Sequence, residues 1–90
     1  MPIDKYITIW LYRDMKSFVS LFKALSDESR QKILLLLDKG SLSVGDIAKK
    51  TRLSQPNTSG HLAVLKNIGL VTSSKEGNTV VYSIDKRWFV

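Results

Sequence analysis

The 90-residue sequence predicts a mainly α-helical domain that ends in a small β-hairpin. Three observations predict it. Apolar residues recur at spacings of three and four through residues 3–25 and again through the leucine-rich run after Asp27. Two short helical segments, about 44–51 and 55–67, are separated by a few turn residues. Two β-rich runs, 70–75 and 79–84, flank Glu76-Gly77-Asn78. The length suits one domain, 1–90, with a small core.

The first element reads as a helix over residues 3–25. Ile7, Leu11, Met15, Phe18, Phe22 and Leu25 fall on one stripe, widened by Ile3, Trp10 and Leu21. Lys5, Arg13, Lys16, Ser20 and Lys23 lie away from it. A helix of about 22 residues is roughly 33 Å long, more apolar length than so short a chain can cover, so the surplus points to a second subunit. The alternative is a break near Asp14, with two shorter helices packed inside the protomer.

Ser26 or Asp27 can cap the second helix, whose broad apolar face holds Ile33, Leu34, Leu36 and Leu37, with Gly40 suited to the C′ position. Ser43 and Asp46 resemble a capping pair for a third helix with Ile47 and Ala48 inward. The chain turns at Thr51-Arg52-Leu53. Ser54 caps a fourth helix that takes Pro56 in its first turn, where a missing N–H costs nothing, and ends at Gly69. Val80, Tyr82 and Ile84 alternate with Thr79, Val81 and Ser83, the period of a strand with one face buried, and Gly77-Asn78 suits the turn. Asp85 can cap a last helical turn from Lys86 to Val90. In this order, with helices three and four joined by a short turn and a hairpin following, the elements make a winged helix-turn-helix: helix-turn-helix 44–67, wing 70–84.

Fourteen lysines and arginines against eight acidic residues give a formal charge of +6, which favours a polyanionic partner, nucleic acid first and an anionic membrane surface second. The absence of cysteine excludes disulfides and thiolate metal sites. Met1 is followed by Pro2, Asp4 and Lys5 rather than a basic n-region and a long apolar run, so the expected location is the cytoplasm. His61 is the sole histidine, and no serine has a candidate base beside it in a motif, so neither a metal site, a cofactor nor an enzyme is expected.

"SQPNTSGHLAVLK", residues 54–66, carries the candidate site. On a helical wheel Thr58, Leu62 and Leu65 point one way, with His61 and Ile68 on the flank. Pro56, Gly60, Ala63 and Asn67 point the other way. That second face is small in its middle, and Gln55, Asn57 and Ser59 make its tip polar. A major groove about 12 Å wide just admits a helix, and the N-terminal residues of such a helix reach base edges. Gln55 and Asn57 have amides able to pair with adenine, and Ser59 can donate to a base or a phosphate. Gly60 costs about 1 kcal/mol relative to alanine but lets the helix seat deeply. With no arginine on this face, direct readout is modest and part of the specificity falls to duplex shape. Lys49, Lys50, Arg52, Lys66 and Lys75 are candidate phosphate contacts.

"ALSDESRQKILLLL", "LSVGDIAKKTRLSQPNTSGHLAVLKNIGLV" and "EGNTVVYSI" together resemble the ArsR/SmtB family of winged helix-turn-helix repressors over about residues 22–84. The resemblance implies a homodimer that binds an imperfect inverted repeat in double-stranded DNA and blocks transcription. It places DNA contacts at Gln55, Pro56, Asn57, Ser59 and Gly60, and in the wing from Lys75 through Asn78 and Thr79. Gly60 stands where the family commonly has a basic or polar residue, and Arg52 where it often has glycine. The cysteine motif that metal-sensing members carry around Val44-Gly45-Asp46 is absent, so the expected member has no metal effector; a small-molecule effector is left open. The C-terminal helix that normally helps form the dimer is expected to be nearly absent. The N-terminal helix is therefore expected to take that role, with Trp10, Leu11, Met15, Phe18 and Phe22 packing across the dimer and Trp88 and Phe89 docking against it.

Two other functions fit parts of the sequence. A winged helix used for protein–protein assembly would use Gly60 and Ala63 to receive a partner's side chains. A membrane-surface protein would use the amphipathic "IDKYITIWLYRDMKSFV".

Overall fold

The computed structural model describes the backbone of residues 5–89 and, among their side chains, residues 8, 9 and 11–87. The expectations for Ile3, Ile7, Trp10, Trp88 and Phe89 lie outside these described side chains. Four helices, α1 (Lys5–Leu25), α2 (Glu28–Leu37), α3 (Val44–Thr51) and α4 (Gln55–Asn67), are followed by the hairpin of β2 (Val71–Glu76) and β3 (Thr79–Ile84). A two-residue strand, β1 (Leu42–Ser43), precedes α3, and a 3-10 turn, Lys86–Phe89, follows β3.

α1 is unbroken through Asp14. Its C-terminal part faces the body: Ala24 is buried, Leu21 and Leu25 are half-buried, and this end packs on α2. The stripe Leu11, Met15, Phe18 and Phe22 is exposed, Met15 at 64% and Phe22 at 63%, as are Ile9, Tyr12 and Val19. At 1.5 Å per residue, 21 residues reach about 31 Å. The molecule accordingly measures 56 × 25 × 20 Å.

The remaining helices start on the caps their sequences provide. Asp27 takes up the Arg30 N–H at 3.0 Å, Ser43 that of Asp46 at 3.2 Å, and Ser54 that of Asn57 at 3.2 Å. Between α3 and α4 the chain reverses through Arg52, which is left-handed at φ 61, ψ 28. Its N–H and that of Leu53 close back on the Lys49 and Ala48 carbonyls. Gly69, at φ 83, follows the α4 cap residue Ile68. At the end of α2 the cap is Asp38, so Gly40 stands two residues beyond it rather than at C′.

Ile33 and Leu37 from α2, Ile47 from α3, Leu62 and Leu65 from α4 and Val71 from β2 form the core, with Leu34, Leu42, Val44, Ile68, Leu70, Tyr82 and Ile84 packed against it. Each of the fully buried aliphatic side chains contributes roughly 1.5–3 kcal/mol. Two features depart from the sequence reading. The hairpin is a three-stranded antiparallel sheet of order β1-β3-β2, because Leu42 pairs with Tyr82 and Ser43 with Val81. And burial in β3 does not alternate: Val81, Tyr82, Ser83 and Ile84 are all half-buried in this middle strand, with Tyr82 and Ile84 packed on the core, while Val80 is exposed at 42%, since the hairpin has left the body by that residue. The result is a winged helix-turn-helix.

Candidate nucleic-acid interface

The orientation of α4 follows from its inner line. Thr58, Leu62 and Leu65 are all fully buried. The one hydroxyl among them is satisfied locally, since Thr58 Oγ1 donates to the Ser54 carbonyl at 2.9 Å. That roll turns Pro56, Ser59, Gly60, Ala63 and Asn67 outward, and all five are exposed. At Gly60 an added Cβ would meet nothing within 4 Å, so this stretch of backbone stands open to solvent.

Gln55 and Asn57 are exposed at the N-terminal tip of α4. The Gln55 amide nitrogen lies 3.5 Å from where a Cβ on Gly45 would stand, so the side chain folds back over the start of α3. A Cβ there would make only ordinary contact, so this packing does not itself require a glycine at 45.

Lys49, Lys50 and Arg52 are exposed at the end of α3 and in the turn beside α4. The distal hairpin exposes Lys75, Asn78 and Thr79, and Gly77 at φ 63 makes its turn. Lys66 is exposed in the last turn of α4, but its Nζ is engaged: it donates to Ser73 Oγ of β2 at 2.7 Å.

His61 faces inward from α4 and is half-buried. Its Nδ1 stands 4.0 Å from the Asp27 carboxylate, which also lies 3.7 Å from the Arg30 guanidinium. The Arg30 backbone N–H holds the Asp27 carboxyl below its ordinary value, with smaller help from the charges of His61 and Arg30 against the desolvation that opposes it. His61 thus joins the α4 side of the domain to the start of α2. Asp85 is nearly buried, and Arg87 donates to it from Nε at 3.0 Å and from its own backbone N–H at 3.0 Å. The Arg87 side-chain bonds, followed by the backbone one, hold the Asp85 carboxyl low.

Among the described residues, no group of three or more histidines, cysteines or acids is placed to hold a metal ion. None of the described helices is long and apolar enough to cross a membrane.

A convex helix face with a small, open middle and a polar tip, flanked by cations and a projecting hairpin, suits a grooved polyanion. Comparison with known proteins points the same way. A family model for bacterial regulatory proteins of the arsR family matches residues 27–73. The chain is 39% identical over 66 residues to the transcriptional repressor SdpR of Bacillus subtilis, spanning 73% of either chain. It is 44% identical over 66 residues to the transcriptional activator HlyU of Vibrio cholerae, spanning 73% of this chain and 61% of that protein. In structure it is similar to a homodimeric winged helix-turn-helix DNA-binding domain of a possible ArsR-family transcriptional regulator from Mycobacterium bovis, with a TM-score of 0.76, 30% identity, and coverage of 92% of this chain and 72% of that one. Fold and kinship agree: the chain belongs to the arsR family of bacterial regulatory proteins.

Proposed function

We propose that this chain is a sequence-specific, double-stranded-DNA-binding transcriptional regulator that works as a homodimer and represses from an inverted repeat. The observation that carries the reading is the outward face of α4, open at Gly60 and polar at Gln55, Asn57 and Ser59. α4 enters the major groove, with Gln55 and Asn57 reading base edges and Ser59, Pro56 and Gly60 in close approach. Arg52, Lys49 and Lys50 grip phosphates beside the helix. Lys75, Asn78 and Thr79 do so from the wing, over the adjacent stretch of backbone. Residues 44–67 are the helix-turn-helix and 70–84 the wing.

Dimerisation falls to residues 1–25. Leu11, Met15, Phe18 and Phe22 expose a continuous apolar face far larger than a lone protomer needs, and Trp10 belongs to the same helix. Two copies joined along α1 would present two α4 helices to two half-sites, the arrangement a palindrome requires.

The protein acts by binding rather than by catalysis, in the cytoplasm where bacterial DNA lies. Relatives are named for cadmium and arsenical resistance, but a chain without cysteine lacks the soft donors that such ions prefer. The regulator proposed here responds to no thiophilic metal.

Selection of bound sequences from a random duplex pool at low salt tests the reading. The expected result is a palindromic winner whose half-sites lie about one helical turn apart. A pool that shows no enrichment would end it.

A further inference from the structure

Lys66 stands where a phosphate contact is expected, yet the structure turns it elsewhere. Its Nζ donates to Ser73 Oγ at 2.7 Å, bridging the last turn of α4 to the third residue of β2. Ser73 is not an arbitrary point on the wing. It is the last half-buried residue of β2, and every residue from Ser74 to Val80 is exposed. Ser73 therefore marks where the hairpin leaves the body.

The same level of the sheet is gripped from the other side. Ser73 is paired with Tyr82 on β3, and Tyr82 with Leu42 on β1. Leu42 immediately precedes Ser43, the cap of α3. One transverse line, Leu42–Tyr82–Ser73–Lys66, thus runs from the start of α3 across all three strands to the end of α4. Helix-turn-helix and wing are clamped together at the fulcrum of the hairpin.

We infer that Lys66 and Ser73 act as a strut that sets the angle of the wing against α4, so that Lys66 is a positioning residue for DNA binding rather than a phosphate contact. The inference rests on the DNA-binding reading for its effect on affinity, but not for its effect on the free protein. Without the strut the base of the hairpin keeps its anchors at Val71, Tyr82 and Ile84 and its pairing with β1, but the part beyond Ser73 loses its tie to the end of α4 and samples a wider range of angles. Affinity then falls because Lys75, Asn78 and Thr79 must be ordered at the moment of binding.

A strut and a phosphate grip predict different outcomes for Lys66→Met, Ser73→Ala, the double variant and Ser73→Thr. Each is assayed by anisotropy on the selected duplex across a salt series, with circular dichroism to check folding. For a strut, Lys66→Met and Ser73→Ala each weaken binding roughly fivefold, the effect of one hydrogen bond. The double variant is no weaker than either single one. Ser73→Thr, which keeps the hydroxyl, binds like the parent, and the slope of log K against log salt stays unchanged throughout. In the free protein, the β2 and β3 amides of Lys66→Met and Ser73→Ala exchange hydrogen faster than those of the parent. Parent-like binding by Ser73→Ala, together with a shallower salt slope for Lys66→Met, would overturn the inference, as would unchanged amide exchange. If the parent binds no duplex, the DNA reading fails and the exchange measurement still decides the strut.

Discussion

Arg52 sits at φ 61, ψ 28, a conformation that costs a residue with a Cβ about 1–2 kcal/mol and glycine very little. Gly60 is the reverse case: a glycine in an exposed helix interior with empty space where a Cβ would go. Each residue is worse for stability than the obvious replacement, so each is expected to be kept for something else. Arg52→Gly should raise the melting temperature by several degrees, given about 4–8 °C per kcal/mol in a domain of this size, and should weaken duplex binding through the lost cation. Gly60→Ala should stabilise by about 1 kcal/mol and weaken binding by holding the helix off the groove floor. Thermal melts and anisotropy on the same samples check both; a rise in stability with undiminished affinity would remove Arg52 or Gly60 from the interface. Asp85 and Asp27 titrate below their ordinary value because each accepts N–H groups in the folded state. Their stabilisation is full above the unfolded-chain value of about 3.9 and is lost as pH falls through the lower folded values. The urea midpoint should therefore drop between pH 5 and pH 3, and drop less in Asp85→Asn, which starts lower because Arg87 has lost its ionised partner.

At the scale of elements, what the sequence made legible follows from how locally each signal is written. The bounds of α3 and α4 were readable because Ser43 and Ser54 announce them by capping chemistry, and Thr58, Leu62 and Leu65 fix the roll of α4 by period alone. β1 was not readable. Two residues hold no period, and their pairing with β3 depends on a contact some forty positions away in the chain. The exposure of Val80 was hidden for a related reason: alternation tells which face a residue is on, not whether the body extends that far. The bond between Lys66 and Ser73 was not readable because the two residues lie on different elements. α1 is the case where periodicity located a face without saying what covers it. Phe18 and Phe22 stack with ring centroids 6.2 Å apart on its open side, and both remain exposed. Phe22→Glu places a charge on that side without touching the protomer's core. It should leave the circular dichroism of the fold intact and convert the dimer to a monomer in sedimentation at micromolar concentration. A variant that still sediments as a dimer would take the α1 face out of the interface.

For the whole molecule, the charge of +6 per chain becomes a statement about stoichiometry once it is tied to particular cations. Lys49, Lys50, Arg52 and Lys75 are the exposed cations around α4 and on the wing, apart from the engaged Lys66. Two protomers on one palindrome would neutralise roughly eight phosphates, and counterion release at about 0.9 per contact gives a slope of log K against log salt near −7. A monomer on a half-site would show about half of that. The same arithmetic applies to a single substitution: Arg52→Gly removes one contact per protomer, so it should flatten the slope by about 2 for a dimer and about 1 for a monomer. The two variants cross-check each other, because Phe22→Glu should bring the parent slope down toward the half-site value with all its cations in place. Should Arg52→Gly change the affinity while leaving the slope untouched, Arg52 would be acting through the geometry of the turn between α3 and α4 and not through its charge. If Phe22→Glu kept the full slope, the second set of cations would have to come from the same protomer, and the palindromic arrangement would fall.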